Sequence, residues 1–155
     1  MEQIDILSLS PEALRAYLEA WGEPKFRAKQ IFGWLHQKQV TEFSQMTSLS
    51  LQLREKLEQN FCINRLNIER RLASSIDDTV KYLYRLPDGN FVETVLMDYH
   101  HGKSLCISTQ VGCRMGCQFC ASTIAGYVRN LTPAEMLLQI YRISADTGER
   151  VSNVV

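Results

Sequence analysis

The sequence predicts an α/β chain in three stretches: a helical domain over 1–62, a β-hairpin extension over 63–100, and the first part of an α/β barrel over 101–155. Three observations carry this reading. Apolar residues recur at helical spacing before residue 62 and in short strand-like runs after it. Pro87-Asp88-Gly89-Asn90 is a hairpin signal between two of those runs, because proline presets φ while Gly and Asn accept positive φ. From about residue 104 to the end, the order strand, loop, helix, strand forms a βαβ unit, which implies a parallel sheet. A complete α/β barrel needs ~200 residues or more, so a chain of 155 is expected to begin one without finishing it.

Each element has a local cause. Ser10 caps the first helix, and Pro11 sits where a missing N–H costs nothing. Leu14, Tyr17, Leu18 and Trp21 recur at helical spacing along it, and Gly22 can end it. A second helix is expected over about 25–39, with Phe26, Ile31, Trp34 and Leu35 inward. A third covers about 51–61, with Leu53, Leu57 and Phe61 as its stripe. Strands are expected over about 66–73, 79–86, 91–98 and 104–110. Thr132-Pro133-Ala134-Glu135 is a capping box. It opens a helix that runs to about residue 145 through Met136, Leu137, Ile140, Tyr141 and Ile143. A strand begins at Val151.

Composition excludes several classes. The chain is 45% hydrophobic and 22% charged, which is ordinary for a globular protein. No apolar run approaches the ~18 residues of a membrane helix. The start, Met1-Glu2-Gln3-Ile4-Asp5, lacks the pattern of a secretory signal. The expectation is a cytoplasmic protein with no membrane partner. Seventeen basic residues balance seventeen acidic ones, so any nucleic-acid contact has to come from a local patch.

Five cysteines, an odd count without an export signal, point to metal binding or catalysis instead of a disulfide framework. Four of them fall between Cys106 and Cys120. Cys113, Cys117 and Cys120 have the spacing C-x3-C-x2-C, with Phe119 just before the last. Three thiolates this close on a flexible loop suit three corners of a [4Fe-4S] cluster. The fourth iron is then open, as a reactive cluster requires. Gly112 and Gly116 let the backbone curl around it. The alternative is structural zinc, which usually takes four ligands in two pairs. Only His100 and His101 are near, and no second pair follows.

Two further residues stand out. In the 104–110 strand, Leu105 and Ile107 share a face suited to packing under helices. Cys106 lies on the smaller, more polar face with Ser104, Ser108 and Gln110. A buried structural thiol is the alternative for Cys106. Glu93 is mid-strand among Phe91, Val95 and Met97, where a carboxylate is costly unless paired or used. Burial would raise its pKa and suit proton transfer. An edge-strand Glu facing water is the alternative.

The three-cysteine motif with Phe119 resembles the signature of the radical S-adenosylmethionine superfamily. Four segments narrow the resemblance: Phe26-Arg27-Ala28-Lys29-Gln30-Ile31, Val92-Glu93-Thr94-Val95, Cys106-Ile107-Ser108-Thr109-Gln110-Val111-Gly112-Cys113 and Arg129-Asn130-Leu131-Thr132. In this order they resemble the RlmN-like dual-specificity RNA methyltransferases, along essentially the whole chain. The resemblance implies a helical accessory domain that helps grip RNA, a β extension, and the start of an incomplete radical SAM (β/α) barrel. It implies 23S rRNA and tRNA as partners, an electron donor such as flavodoxin, and a monomer. It also implies methylation of adenine C2, an electron-poor carbon that a carbon radical can attack. The [4Fe-4S] cluster would sit on Cys113, Cys117 and Cys120. S-adenosylmethionine would be the second cofactor, with Phe119 near its adenine. Glu93 would be the proton acceptor. Cys106 would be the resolving cysteine, releasing product from a methyl-cysteine intermediate through a transient disulfide.

Other expectations follow from what the 155 residues do and do not contain. The family's glycine-rich, Glu-Pro-containing segment and its methyl-carrying cysteine are not among them. The chain is therefore expected to be an N-terminal portion, inactive alone. A sister family that methylates adenine C8 is one alternative, and a non-enzymatic RNA-binding module with a structural metal site is another. Between Tyr99 and Ala134 there is no Asp or Glu, while Lys103, Arg114 and Arg129 are present. That stretch suits RNA phosphates or the carboxylate of S-adenosylmethionine, or else is a solvated surface. Arg27 and Lys29, with Trp34, suit RNA or a charged outer helix face. Cys62 reads as structural.

Overall fold

In the computed structural model, which describes residues 3–100 and 102–155, the chain divides into two units, residues 1–64 and 65–155. In the first unit, β1 (Ile4–Asp5) pairs in parallel with β2 (Phe61–Cys62), joining its two ends. Between them lie α1 (Pro11–Ala20), α2 (Phe26–His36) and α3 (Leu51–Asn60). The Ser10 hydroxyl accepts the Ala13 N–H at 3.1 Å, and Ser50 caps α3 on Leu53 in the same way. Leu14, Leu18, Ile31, Leu35, Leu53, Leu57 and Phe61 are buried, so the three expected helices pack by the expected aliphatic stripes.

Two aromatic residues depart from expectation. Phe26 is 59% exposed, with the Arg27 guanidinium over its ring. Trp34 is half-buried, donates to Ser48 Oγ at 2.8 Å and carries the Lys38 ammonium over its ring. The reason is angular. Ala28, Ile31 and Leu35 form the buried stripe of α2, and at ~100° per residue Phe26 lies on the far side of the helix while Trp34 falls at its flank.

The second unit is built on a five-stranded sheet whose strands lie side by side in the order in which they occur along the chain. Its strands are β3 (Asn67–Ala73), β4 (Val80–Arg85), β5 (Phe91–Tyr99), β6 (Gly102–Cys106) and β9 (Val151–Val154). The first four are antiparallel neighbours. β9 returns in parallel beside β6, after α4 (Pro133–Thr147). The expected βαβ unit is present, and strands on both sides of residue 100 share one sheet. The β4–β5 turn is the expected hairpin, with Gly89 at φ 84° and the Leu86 N–H bonded to the Asn90 carbonyl at 2.8 Å.

The strand expected over 104–110 is broken. β6 stops at Cys106, and the chain resumes as β7 (Gln110–Gly112), which pairs antiparallel with β8 (Tyr127–Asn130). The break is filled by other partners. Ile107 N–H goes to the Val155 carbonyl at 2.9 Å, and both backbone polar groups of Ser108 go to a side chain of α4. One sheet face carries the core. Tyr82, Tyr84, Val92, Leu96 and Leu105 pack there with Val111, Leu131 and Ile143. The fully sheltered stripe of α4 is Ala134, Glu135, Gln139 and Ile143, while Leu137 and Tyr141 are only half-buried. Two polar residues thus lie on the inward face, where only apolar ones were expected.

Candidate functional site

Sheet pleating sorts the residues of β5. Val92, Thr94 and Leu96 point into the core, while Glu93, Val95 and Met97 point to the opposite face. Val95 pairs with Cys106 in register, so Cys106 shares the face of Glu93, away from the Leu105 side that packs with α4. Cys106 is exposed. The burial expected for Glu93 is not found: its side chain is 54% exposed, and Lys81 Nζ lies 3.0 Å from Oε1. The cause is tertiary. The core lies against the other face of the strand, and the neighbouring strand β4 supplies the countercharge.

The cysteines sit on the loop between β7 and β8. Its root is a close backbone contact. Gly112 has φ +70°, and a Cβ there would fall inside the Gly126 carbonyl. Arg114 lays its guanidinium 4.0 Å over the Tyr127 ring. Within the loop, Thr123 Oγ1 donates to the carbonyls of Cys117 at 3.0 Å and Cys120 at 2.8 Å. Met115 N–H points to Cys113 Sγ at 3.5 Å. Cys113, Cys117 and Cys120 are half-buried, and Phe119 is 94% exposed.

The donor set suits an iron–sulfur cluster in kind. It offers three thiols on one loop, none tied in a disulfide, with no competing carboxylate between them. Among the described residues, no three His, Cys, Asp or Glu side chains are gathered closely enough to hold a metal ion. His101, considered as a zinc ligand, lies outside the described residues.

Beside the loop is an open cleft of about 510 Å³. Phe91, Val92 and Glu93 line it from β5, Ser108 to Gln110 from the break in the sheet, and Cys113, Ala121 and Ser122 from the loop. Two expected site residues, Glu93 and Cys113, therefore face one cavity. Cys106, Cys117, Phe119 and Cys120 do not line it.

Sequence reasoning missed the residue that shapes this wall. Gln139 is fully buried, and its amide is saturated. Oε1 accepts from Thr94 Oγ1 at 2.7 Å and Ser108 N–H at 2.9 Å, while Nε2 donates to the carbonyls of Ser108 at 2.9 Å and Glu135 at 3.2 Å. Ser108 Oγ then donates to the Glu93 carbonyl at 2.6 Å. The available signal was the i, i+4 run Glu135, Gln139, Ile143, a helix face that mixes polar and apolar residues.

The expected positive stretch is largely neutralised. Lys103 pairs with Asp98 at 2.7 Å and Glu149 at 3.1 Å. Arg129 donates both terminal nitrogens to Glu135 at 2.8 Å and reaches Asp88 at 2.7 Å. Burial pushes the Glu135 carboxyl up, but the Arg129 guanidinium and the Thr132 N–H outweigh it and hold it below the ordinary range. The same bonds raise Arg129. Acids absent from 99–134 in sequence arrive from Asp88, Asp98, Glu135 and Glu149 in space. Arg129 is therefore a structural cation.

The sheet turns from antiparallel to parallel at β6, and a three-cysteine loop lies between sheet and helix. A solved radical SAM methyltransferase from Sphaerobacter thermophilus superposes on 97% of the chain with TM-score 0.84 and 34% identity, covering 45% of that structure. Residues 4–63 match the family model for the ribosomal RNA large subunit methyltransferase N-terminal domain. Two curated relatives, each described as a probable dual-specificity RNA methyltransferase RlmN, extend the match. That of Lachnoclostridium phytofermentans is 56% identical over 99% of the chain and 43% of its own length. That of Alkaliphilus oremlandii is 54% identical over 100% of the chain and 45% of its own length. The chain is similar to these relatives along essentially its whole length and matches their N-terminal part, spanning less than half of their own length.

Proposed function

We propose that this chain supplies the RNA-gripping and cluster-holding part of a radical SAM methyltransferase that methylates C2 of an adenine in 23S rRNA and tRNA. The observation that carries the reading is the shared cleft: Glu93 and Cys113 line one cavity, and Cys106 lies on the sheet face of Glu93. Residues 1–62 act as the helical accessory domain, 63–100 as the β extension and 101–155 as the opening of the barrel. Exposed Arg and Lys beside aromatic rings, such as Lys38 over Trp34, suit RNA contact in the first of these.

Cys113, Cys117 and Cys120 would hold the [4Fe-4S] cluster, and taking it up draws the three thiols together. When bound, the cluster supplies the electron that cleaves S-adenosylmethionine. Phe119 offers its exposed ring to the adenine of that cofactor. Glu93, held by Lys81 and open to the cleft, accepts the proton leaving C2. The Cys106 sulfur would attack the sulfur of a methyl-cysteine carrier, so that a transient disulfide forms as the carbon–sulfur bond to the product breaks and its electron pair leaves with the product. No cysteine follows Cys120 in these 155 residues, so the carrier is not among them. A flavodoxin-like electron donor and a monomeric cytoplasmic state complete the proposal. Among the described residues, no helix is long and apolar enough to cross a membrane.

The test is anaerobic reconstitution with iron and sulfide, with Cys113→Ala as control. The expected result is about four irons per chain, lost in the variant, and an EPR signal of the reduced cluster that shifts on adding S-adenosylmethionine. Zinc bound in place of iron would overturn the cluster assignment.

A further inference from the structure

We propose that Gln139 is the positioning residue of the cleft. Its buried amide takes the place of a sheet strand at Ser108 and so fixes the wall between Glu93 and the cysteine loop. The inference rests on the functional reading above, and it takes the cleft beside Cys113 as the place that receives S-adenosylmethionine.

The geometry starts from an unusual demand. β6 ends at Cys106, and Ser108 needs partners for both backbone polar groups where no neighbouring strand reaches it. An unpaired buried amide is costly, so something must satisfy it. Gln139 does so on both sides at once, accepting the Ser108 N–H and donating to the Ser108 carbonyl, each at 2.9 Å. The side chain itself cannot turn freely. Thr94 loads its oxygen and the Glu135 carbonyl holds its nitrogen. Four bonds on one planar amide leave one orientation.

The consequence reaches the cleft. Ser108, held from below by α4, donates its hydroxyl upward to the Glu93 carbonyl at 2.6 Å. Thr109 then accepts the Leu131 N–H at 2.9 Å, and β7 begins one residue later. Gln139 therefore sets the place where the chain leaves the sheet, and with it the separation between Glu93 and the loop root at Gly112. Its own side chain does not line the cleft. Its effect passes through Ser108.

The test compares the wild-type chain with Gln139→Met, Gln139→Glu and Thr94→Val. Gln139→Met fills the space and removes all four bonds. Gln139→Glu keeps the shape and acceptors but loses both donors, and serves if the Met variant fails to fold. Thr94→Val removes one bond to the same amide and leaves Ser108 held, so it reports loss of core stability alone. After reconstitution, the Gln139 variants are expected to carry as much iron as wild type and to bind S-adenosylmethionine about tenfold more weakly, the effect of one misplaced polar contact. Thr94→Val is expected to keep both. Wild-type affinity in the Gln139 variants, or an equal loss in Thr94→Val, overturns the inference. In the unloaded chain, backbone amides from Ser108 to Gly112 are expected to exchange about tenfold faster in the Gln139 variants and unchanged in Thr94→Val. This second readout needs no cluster. If wild type takes up no iron, the functional reading fails there, and the exchange rates still decide whether Gln139 fixes the wall.

Discussion

Arg129 and Glu135 face each other through two parallel hydrogen bonds of 2.8 Å, one on each carboxylate oxygen, at the start of α4. Glu135 is almost buried, with 8% of its side chain exposed. The same guanidinium reaches Asp88 in the β4–β5 turn at 2.7 Å. One cation thus ties the hairpin turn, β8 and the capping box together.

Removing that cation leaves a buried carboxylate without a countercharge, which typically costs ~3–5 kcal/mol. Arg129→Gln is expected to destabilise the second unit by about that amount, read as a shift in urea midpoint with an unchanged slope. The double variant Arg129→Leu with Glu135→Gln should recover much of the loss, because no buried charge remains. No recovery would show that the ion pair is not the source of the effect.

The pH dependence has a definite sign. The folded-state pKa of Glu135 is depressed, so its contribution to stability is present above the unfolded pKa, ~4.3, and is lost as pH falls through the lower folded value. Urea titrations between pH 7 and 3 should show stability falling below about pH 4. Glu135→Gln, less stable at pH 7, should lose less over the same range. Parallel curves for the two proteins would contradict the assignment.

Gly112 and Gly116 both have positive φ, at +70° and +65°, but only Gly112 is crowded. A Cβ at Gly116 meets nothing within 4 Å, whereas one at Gly112 strikes the Gly126 backbone. Gly116→Ala is expected to cost about 1 kcal/mol, the penalty of left-handed backbone for an L-residue. Gly112→Ala must also part β7 from β8. It should cost more in thermal melts and lower iron uptake on reconstitution.

Tyr84 is fully buried, and its hydroxyl has no hydrogen-bond partner among the described residues. Burial pushes its phenol well above the ordinary tyrosine range. An unpaired buried hydroxyl costs ~1–3 kcal/mol, so Tyr84→Phe should be neutral or raise stability by about 1 kcal/mol. A loss of more than ~1 kcal/mol would mean that the hydroxyl is satisfied in solution, for example by a buried water.

Much of the architecture was legible in the sequence because its causes are local. Ser10 and Thr132 cap the helices that follow them, and Pro87-Asp88-Gly89-Asn90 makes its own turn. The C-x3-C-x2-C spacing alone put the three thiols on one loop, and alternation in the strand expected over 104–110 put Cys106 on the face opposite the one that packs under helices. The environment of Glu93, the break after Cys106 and the roles of Gln139 and Arg129 were not legible. Each depends on partners brought together only by folding: Lys81 from the next strand, Ser108 against α4, and Asp88 from a turn far back in the chain. Periodicity states which face of an element is apolar. It does not state what that face meets, and the cost of a charge or an unpaired amide is decided by what it meets.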